Sequence, residues 1–295
     1  MLFNILKDVL SGQHRRASTA VKMAETPARA VSVPALPPVL DLTRALWDYA
    51  DQLSARWSTQ YGTTVCAGPF QGMRYHDFTV EPRCLPRILG TYEAELHELL
   101  QQFPHRGYKK LLNIGCSSGY YAVGLARLIP GMRVNAYDIE AEACHAASAL
   151  ARLNGVADRV CVEQKLFEPA HFSATADGAT LVFMDIEGAE DDLLNEQAIA
   201  GLLHTDILLE IHECYVPGLM HKLTSRFQPS HDVEIVERRN FNLLLPEQLG
   251  EWSDFDRSLA VCEFRTGPTP WMWARAKTRG ARSGQTPPVS DNTGG

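Results

Sequence analysis

No stretch of the 295-residue chain reaches the about 18 consecutive apolar positions that a membrane helix needs, because charged side chains interrupt every hydrophobic run. A soluble protein without a membrane span is expected. Paired cysteines are missing too: the seven cysteines, at 66, 84, 116, 144, 161, 214 and 262, never form a C-x-x-C pair. Neither a structural zinc site nor a disulfide framework is indicated, and a reducing, cytoplasmic compartment is the simplest expectation. Positive charge is scarce, with 28 Lys and Arg against 35 Asp and Glu and a net charge of −7. That balance disfavours a nucleic-acid backbone or an anionic membrane as partner and favours a small-molecule substrate. What is plentiful is apolar side chain, 45% of the residues, enough for one large α/β domain with additions.

The chain divides by composition. Residues 1–40 read as a flexible N-terminal segment and linker. Leu2, Phe3, Leu6, Val9 and Leu10 share one helical face, Lys7 and Asp8 break any signal-peptide core, and 17–38 is rich in Ala, Val and Pro. Residues 41–107 read as a helical cap. Leu42, Leu46, Tyr49, Leu53 and Trp57 recur at helical spacing over 41–57, and a second helix is expected from near Thr91, with Leu96, Leu99, Leu100 and Phe103 facing inward. From 108 to 276, strand-like and helix-like runs alternate as a doubly wound parallel sheet requires. Strands are expected at 111–115, 132–138, 159–163, 180–186, 206–212, 232–238 and 270–276, and helices near 119–129, 141–154, 190–202 and 216–226. Residues 277–295, rich in Gly, Ser, Thr, Pro and Asn, read as a disordered tail.

The most informative segment is LLNIGCSSGYYAVGLA, 111–126, a buried strand that breaks into a tight turn and enters a helix. Small residues let the backbone approach a ligand, and the helix offers unpaired N–H groups and the positive end of its dipole. A dinucleotide site wants G-x-G-x-x-G, with room for a pyrophosphate. Here Ser117 replaces the middle glycine and Tyr120 the third, which argues against NAD. The second strand ends at Asp138, whose two carboxylate oxygens can accept from the vicinal hydroxyls of a ribose. The same residue can instead cap the helix that begins near Glu140.

The fourth strand ends in MDIEGAE, 184–190, bringing Asp185, Glu187 and Glu190 to the rim of the sheet, which is costly unless they have partners or a task. The fifth, DILLEIHE, adds Glu210 and His212 on one face. The loop G-x-[GS]-x-G resembles the first motif of the class I S-adenosylmethionine methyltransferases, and D-x-E-G-x-E, with GPFQGM-x-Y and LGTYE-x-EL ahead of the loop, resembles the FkbM-type group among them. The resemblance spans roughly 68–275. Asn113 departs from it, standing where many such enzymes have Asp or Glu.

The resemblance implies a Rossmann-like sheet, mostly parallel with the last strand antiparallel (232–245 pairing with 259–276), behind a helical N-terminal extension. It implies S-adenosyl-L-methionine held by Asn113, Gly115, Cys116, Ser117, Gly119, Tyr120, Asp138 and Asp185. Gln164 is expected near the adenine, and Tyr92 with Glu93 near the amino acid part. Methyl transfer to a hydroxyl needs alignment and a proton acceptor. His212 is expected to be that base, with Asp185 and Glu187 as its catalytic partners. In a competing reading Asp185, Glu187, Glu210 and His212 bind Mg²⁺ or Mn²⁺, which lowers the hydroxyl pKa; the base is preferred over the metal. The chain has no [ND]-P-P-[YF], which lowers the rank of amino-group methylation of bases or glutamine. The expected activity is O-methylation of a small or sugar-like molecule. A non-catalytic S-adenosylmethionine-binding module and an NAD-dependent oxidoreductase stand as alternatives.

Overall fold

The computed structural model describes residues 39–175, 177–238 and 245–278. Residues 43–295 form one compact unit, which carries the sheet and the site. The expected helix face at Leu2 to Leu10, the linker at 17–38 and the tail beyond 278 lie outside the described residues.

The sheet is built around β1 (Lys110–Ile114), which pairs in parallel with β2 (Arg133–Asp138) on one side and β4 (Thr180–Met184) on the other. Beyond them run β3 (Val160–Gln164) and β5 (Asp206–Glu210), also parallel. Then β7 (Trp271–Ala276) runs antiparallel between β5 and the edge strand β6 (His231–Val236), giving the order β3-β2-β1-β4-β5-β7-β6. This is the expected Rossmann-like sheet, mostly parallel, with its last strand reversed. Every residue of β4 and β5 is buried, which is why they read as unbroken apolar runs.

Side chains alternate between two cores. Leu111, Leu181, Phe183 and Leu208 face one, shared with α4 (Tyr120–Leu128), α5 (Ala141–Leu153) and the N-terminal segments. Leu112, Ile114, Val182, Met184 and Leu209 face the other, closed by α6 (Pro169–Thr175), α7 (Glu190–Leu193), α8 (Glu196–Leu202) and α9 (Leu219–Phe227). In the N-terminal part, α1 (Val39–Tyr61) buries Ala50, Leu53 and Trp57, and two short helices follow, α2 (Leu85–Leu89) and α3 (His97–Gln102). The strand order reverses between β1 and β4, opening a crevice at the carboxyl ends where such sheets bind ligands.

Three expectations need correction. The region from Thr91 is not one helix. Gly90 closes α2 in a left-handed turn, Glu93 is itself left-handed, and only 97–102 is α-helical. Of its expected inward side chains, Leu96, Leu100 and Phe103 are buried and Leu99 is half-buried. The helix expected at 190–202 is two, because Asn195 leaves the helical backbone and its side chain accepts from the N–H groups of Gln197 and Ala198. Among the described residues the pairing expected of 232–245 with 259–276 is confined to 231–236 and 271–276: α10 (Asp254–Ala260), capped by Ser253, runs into the start of the second segment, and no strand follows before Trp271. Residues 239–244, within that same expectation, lie outside the described ones.

Candidate functional site

The glycine loop occupies the crevice between β1 and α4. Gly115, Ser117 and Gly119 have φ of 76°, 46° and 93°. A Cβ on Gly115 would stand 1.6 Å from the carbonyl oxygen of Asp185, so the ends of β1 and β4 meet there only because this residue has no side chain. Gly119 likewise lets the loop close on α5, where a Cβ would be 2.8 Å from the Cα of Ala147. Asp138 ties the glycine loop to the turn that leads into α5. One carboxylate oxygen accepts from the Ser117 N–H at 2.8 Å and the other from the Glu140 N–H at 3.0 Å. Each oxygen keeps a second lone pair.

The remaining expected cofactor residues fall in different settings. Asn113 is buried, donates to the Phe183 carbonyl at 3.4 Å and leaves its Oδ1 without a partner. Cys116 is buried, and that burial pushes its thiol pKa up. The Tyr120 ring lies inside an edge-on aromatic cluster with Phe70, Tyr75, Tyr92 and Tyr121. The Gln164 amide donates to the Ile139 carbonyl at 3.1 Å, and its side chain is exposed. Two residues that sequence reasoning passed over flank it: Ile139 is 53% exposed and Leu166 68%, at the ends of β2 and β3. Their signal was available, as apolar residues among polar ones just past two strand ends.

The second half of the crevice is built on His212, which is 2% exposed. Its Nδ1 is 2.7 Å from Oε1 of Glu190, itself fully buried, and Glu190 also accepts from the Gly188 N–H at 3.2 Å. Its Nε2 faces Glu187 at 3.3 Å, Glu210 at 3.6 Å and Asp185 at 3.7 Å. Tyr215 lies parallel to the imidazole, with ring centres 5.6 Å apart. Burial opposes a charge on His212, yet hydrogen bonding to Glu187 and Glu190 and the field of Asp185 push its pKa up to about 11. Burial, then Glu210 and Glu187, hold Asp185 well above the usual carboxylate range, while the hydrogen bond from His212 lowers Glu187.

Arg265 is a contributor the sequence did not disclose. Its guanidinium meets Glu263 at 2.9 Å, Glu93 at 3.0 Å and Glu95 at 3.6 Å, and it also bonds Glu210 and Thr269. Tyr121 donates its hydroxyl to Glu93, whose pKa burial, together with the charge of Glu210, pushes up to about 8. A cavity of about 180 Å³ opens among these groups, lined by Tyr92, Asp185, Glu187, His212, Tyr215 and Phe264 among others. Single ligand atoms of Asp185, Glu187 and His212 lie within 4.8 Å of one another, close enough to bind one cation. Glu210 lines the same cavity, but Arg265 engages its carboxylate.

No protein-family model matches the chain, and no curated protein matches it in sequence. Solved structures similar to it include the O-methyltransferase from Bacillus cereus in complex with SAH, at 14% identity over 79% of this chain and 91% of that one, with a TM-score of 0.42. Others are an rRNA methylase from Streptococcus thermophilus (10% identity, 63% of this chain and 98% of that one, TM-score 0.43) and a precorrin-6y C5,15-methyltransferase from Geobacter metallireducens (13%, 61% and 89%, 0.41). At such identities any likeness is one of fold and does not extend to chemistry.

Proposed function

We propose that this chain is an S-adenosylmethionine-dependent methyltransferase that methylates a hydroxyl oxygen of a small, sugar-like molecule. The observation that carries the reading is the double duty of Asp185. Its backbone carbonyl sits against Gly115 of the loop, and its carboxylate stands 3.7 Å from Nε2 of His212. The cofactor loop and the candidate base therefore meet at one residue. The D-x-E-G-x-E stretch and the segments ahead of the loop make an FkbM-type enzyme the narrower form of this reading.

Asp138 and the Ser117 turn would hold the ribose, Ile139, Leu166 and Gln164 the adenine, and Asn113, through its unpartnered Oδ1, with Tyr92 the amino acid end. When bound, S-adenosylmethionine supplies an electrophilic methyl group on a sulfonium. The protein then has to align the hydroxyl and take its proton. Glu190 fixes Nδ1 of His212 as the protonated nitrogen, which leaves Nε2 to face the cavity as the acceptor. In the free protein that nitrogen holds its proton tightly. Cationic charge engaging Asp185 and Glu187 removes the support for the imidazolium and brings His212 toward the neutral form a base needs.

Calorimetry with S-adenosylmethionine, S-adenosylhomocysteine and NAD tests the reading. Binding of the two adenosyl ligands without NAD is expected. Binding of NAD alone sinks the proposal, and binding of the adenosyl ligands without methyl transfer to any hydroxyl acceptor would leave a non-catalytic binding module.

One observation favours a second reading, a divalent metal. Asp185, Glu187 and His212 converge, and the bond from Nδ1 to Glu190 is the arrangement that orients a metal-binding imidazole. The donor set fits Mg²⁺ or Mn²⁺, which would polarise the hydroxyl. Activity that EDTA abolishes and Mn²⁺ restores distinguishes this from the metal-free base.

A further inference from the structure

A second cavity, of about 290 Å³, adjoins the first and is lined by Glu81, Arg83, Arg87, Tyr92, Cys262 and Glu263 among others. Tyr92 and Glu263 belong to both, so the Tyr92 ring stands between the larger chamber and His212. The chambers differ in their unused hydrogen-bonding capacity. Around His212 the spare groups are acceptors, Oδ1 of Asp185 and Oε2 of Glu190, which have no hydrogen-bond partner.

In the larger chamber the acidic side chains are already engaged. Glu81 pairs with Arg87 at 2.7 Å and accepts from the Tyr75 hydroxyl at 2.5 Å. Glu263 pairs with Arg265 at 2.9 Å and Arg238 at 3.3 Å, and accepts from the Glu93 N–H at 3.1 Å. The spare groups are donors. Nε of Arg87 is sealed from water with no partner, while the guanidinium stacks over Tyr92 with its carbon 3.7 Å from the ring centre. Arg83 makes a loose ion pair, 3.7 Å from Asp51, and its guanidinium carbon lies over the Trp47 ring, 5.1 Å from the ring centre. A buried donor left unpaired is destabilising, and an incoming acceptor group would remove that cost.

Backbone strain is spread over both cavities and the glycine loop. Among the described residues, five non-glycine residues have left-handed φ: Arg83, Glu93, Ser117, Glu187 and Phe264. Ser117 is in the glycine loop, Arg83 lines the larger cavity, Glu187 and Phe264 line the smaller, and Glu93 follows Tyr92, which lines both. Such conformations are strained and persist only where the surrounding structure holds them.

We propose that the larger cavity is the specificity subsite for the methyl acceptor and takes an anionic group, a carboxylate or a phosphate, against Arg87 and Arg83, with the acceptor's hydroxyl reaching past Tyr92 to His212. The hydroxyl end rests on the methyltransferase reading; the anion end rests on the cavity alone. The acceptor is then a hydroxy acid or a sugar phosphate rather than a neutral sugar.

The test is calorimetry on the full chain saturated with S-adenosylhomocysteine, using glycerol 3-phosphate, glycerate and glycerol as probes. The two anions are expected to bind and glycerol is not. Arg87→Gln should weaken the anions at least tenfold and Arg83→Gln about threefold. Arg133→Gln, which removes the same charge at the opposite end of the strands, should leave them within twofold. Arg87→Lys keeps a cation for Glu81 but has no Nε–H, and a fivefold or greater loss is expected in it even if Arg87→Gln does not fold. Failure of both anions to bind at millimolar concentration, equal binding of glycerol, or equal weakening by Arg133→Gln overturns the proposal. Affinity for S-adenosylhomocysteine should stay unchanged in Arg83→Gln and Arg133→Gln. Its absence from the wild-type protein would sink the methyltransferase reading instead, and the anion arms can be read without it.

Discussion

The two halves of the crevice are held together in opposite ways. At the ends of β1 and β2, backbone N–H groups meet one carboxylate, Asp138, and close approach is secured by glycines. At the ends of β4 and β5, seven carboxylates (Glu93, Glu95, Asp185, Glu187, Glu190, Glu210 and Glu263) gather around three cationic groups, Arg238, Arg265 and His212. The first half is sterically complete. The second carries an excess of negative charge that a cationic ligand would relieve, so it is the half whose properties should change on binding.

The largest effect should come from breaking the steric half. Gly115→Ala places a methyl group against the Asp185 carbonyl in a left-handed conformation, and no flexible side chain is there to yield. A loss of about 3 kcal/mol or more is expected. Thermal unfolding should show a midpoint lowered by roughly 6–12 °C. A melting curve within about 2 °C of wild type would mean that the ends of β1 and β4 are not in contact in solution.

The electrostatic half should respond in chemistry before stability. His212→Ala should lower kcat by about 10²–10⁴-fold, the range for a general base, while S-adenosylhomocysteine affinity changes little. The imidazole resonances of the wild-type protein sharpen the point. His212 should titrate near 11 in the free protein, and at least one unit lower with S-adenosylmethionine, whose sulfonium is cationic, than with the uncharged thioether of the product. Equal midpoints with both ligands would show that the cofactor's charge does not reach Asp185 and Glu187.

How much of each half could be read in advance follows from how far apart its partners are in the chain. The loop, Asp138 and the carboxylates of 185–190 belong to single strand ends, and local pattern places them. The same holds for His212, two residues beyond Glu210. Arg265 meets Glu93 across 172 positions of sequence, with no periodicity to announce the contact. The broken helix at Asn195 was hidden for a different reason: its apolar residues keep helical spacing across the break, and only the capping side chain marks it. The fold was thus more legible than the site, because a sheet repeats local signals while a charge network closes through distant loops.

That distant network sets the third expectation, on pH. Glu93 ionises near 8 in the folded protein and near its ordinary value of 4.5 when unfolded. Between these values the folded state retains a proton that the unfolded state has lost, so its contribution to stability falls as pH rises from about 4.5 to 8. His212 has the same sign in a higher window: its raised pKa stabilises the fold fully below about 6.5, and that support is lost progressively as pH rises from there to about 11. Urea midpoints at pH 5 and pH 8, compared between wild type and Glu93→Gln, isolate the first effect. The variant should lack a pH-dependent loss on the order of a few kcal/mol. Parallel pH dependence in the two proteins would show that Glu93 is ionised throughout.

The smallest effects belong to the rim of the first half, and there the separation of binding from stability is cleanest. Ile139 and Leu166 are 53% and 68% exposed, so in the free protein they contribute little to the core. Truncating either to alanine should change unfolding free energy by no more than about 0.5 kcal/mol. If they cover an adenine, each loses the burial of two or three methyl or methylene groups on binding, about 1–2 kcal/mol. That corresponds to roughly five- to thirtyfold weaker S-adenosylhomocysteine in calorimetry. Arg275→Gln, an exposed charge on β7, provides the reference with no effect on affinity. Unchanged affinity in both alanine variants would move the adenine away from β2 and β3, and would confine the sterically complete half to holding the ribose.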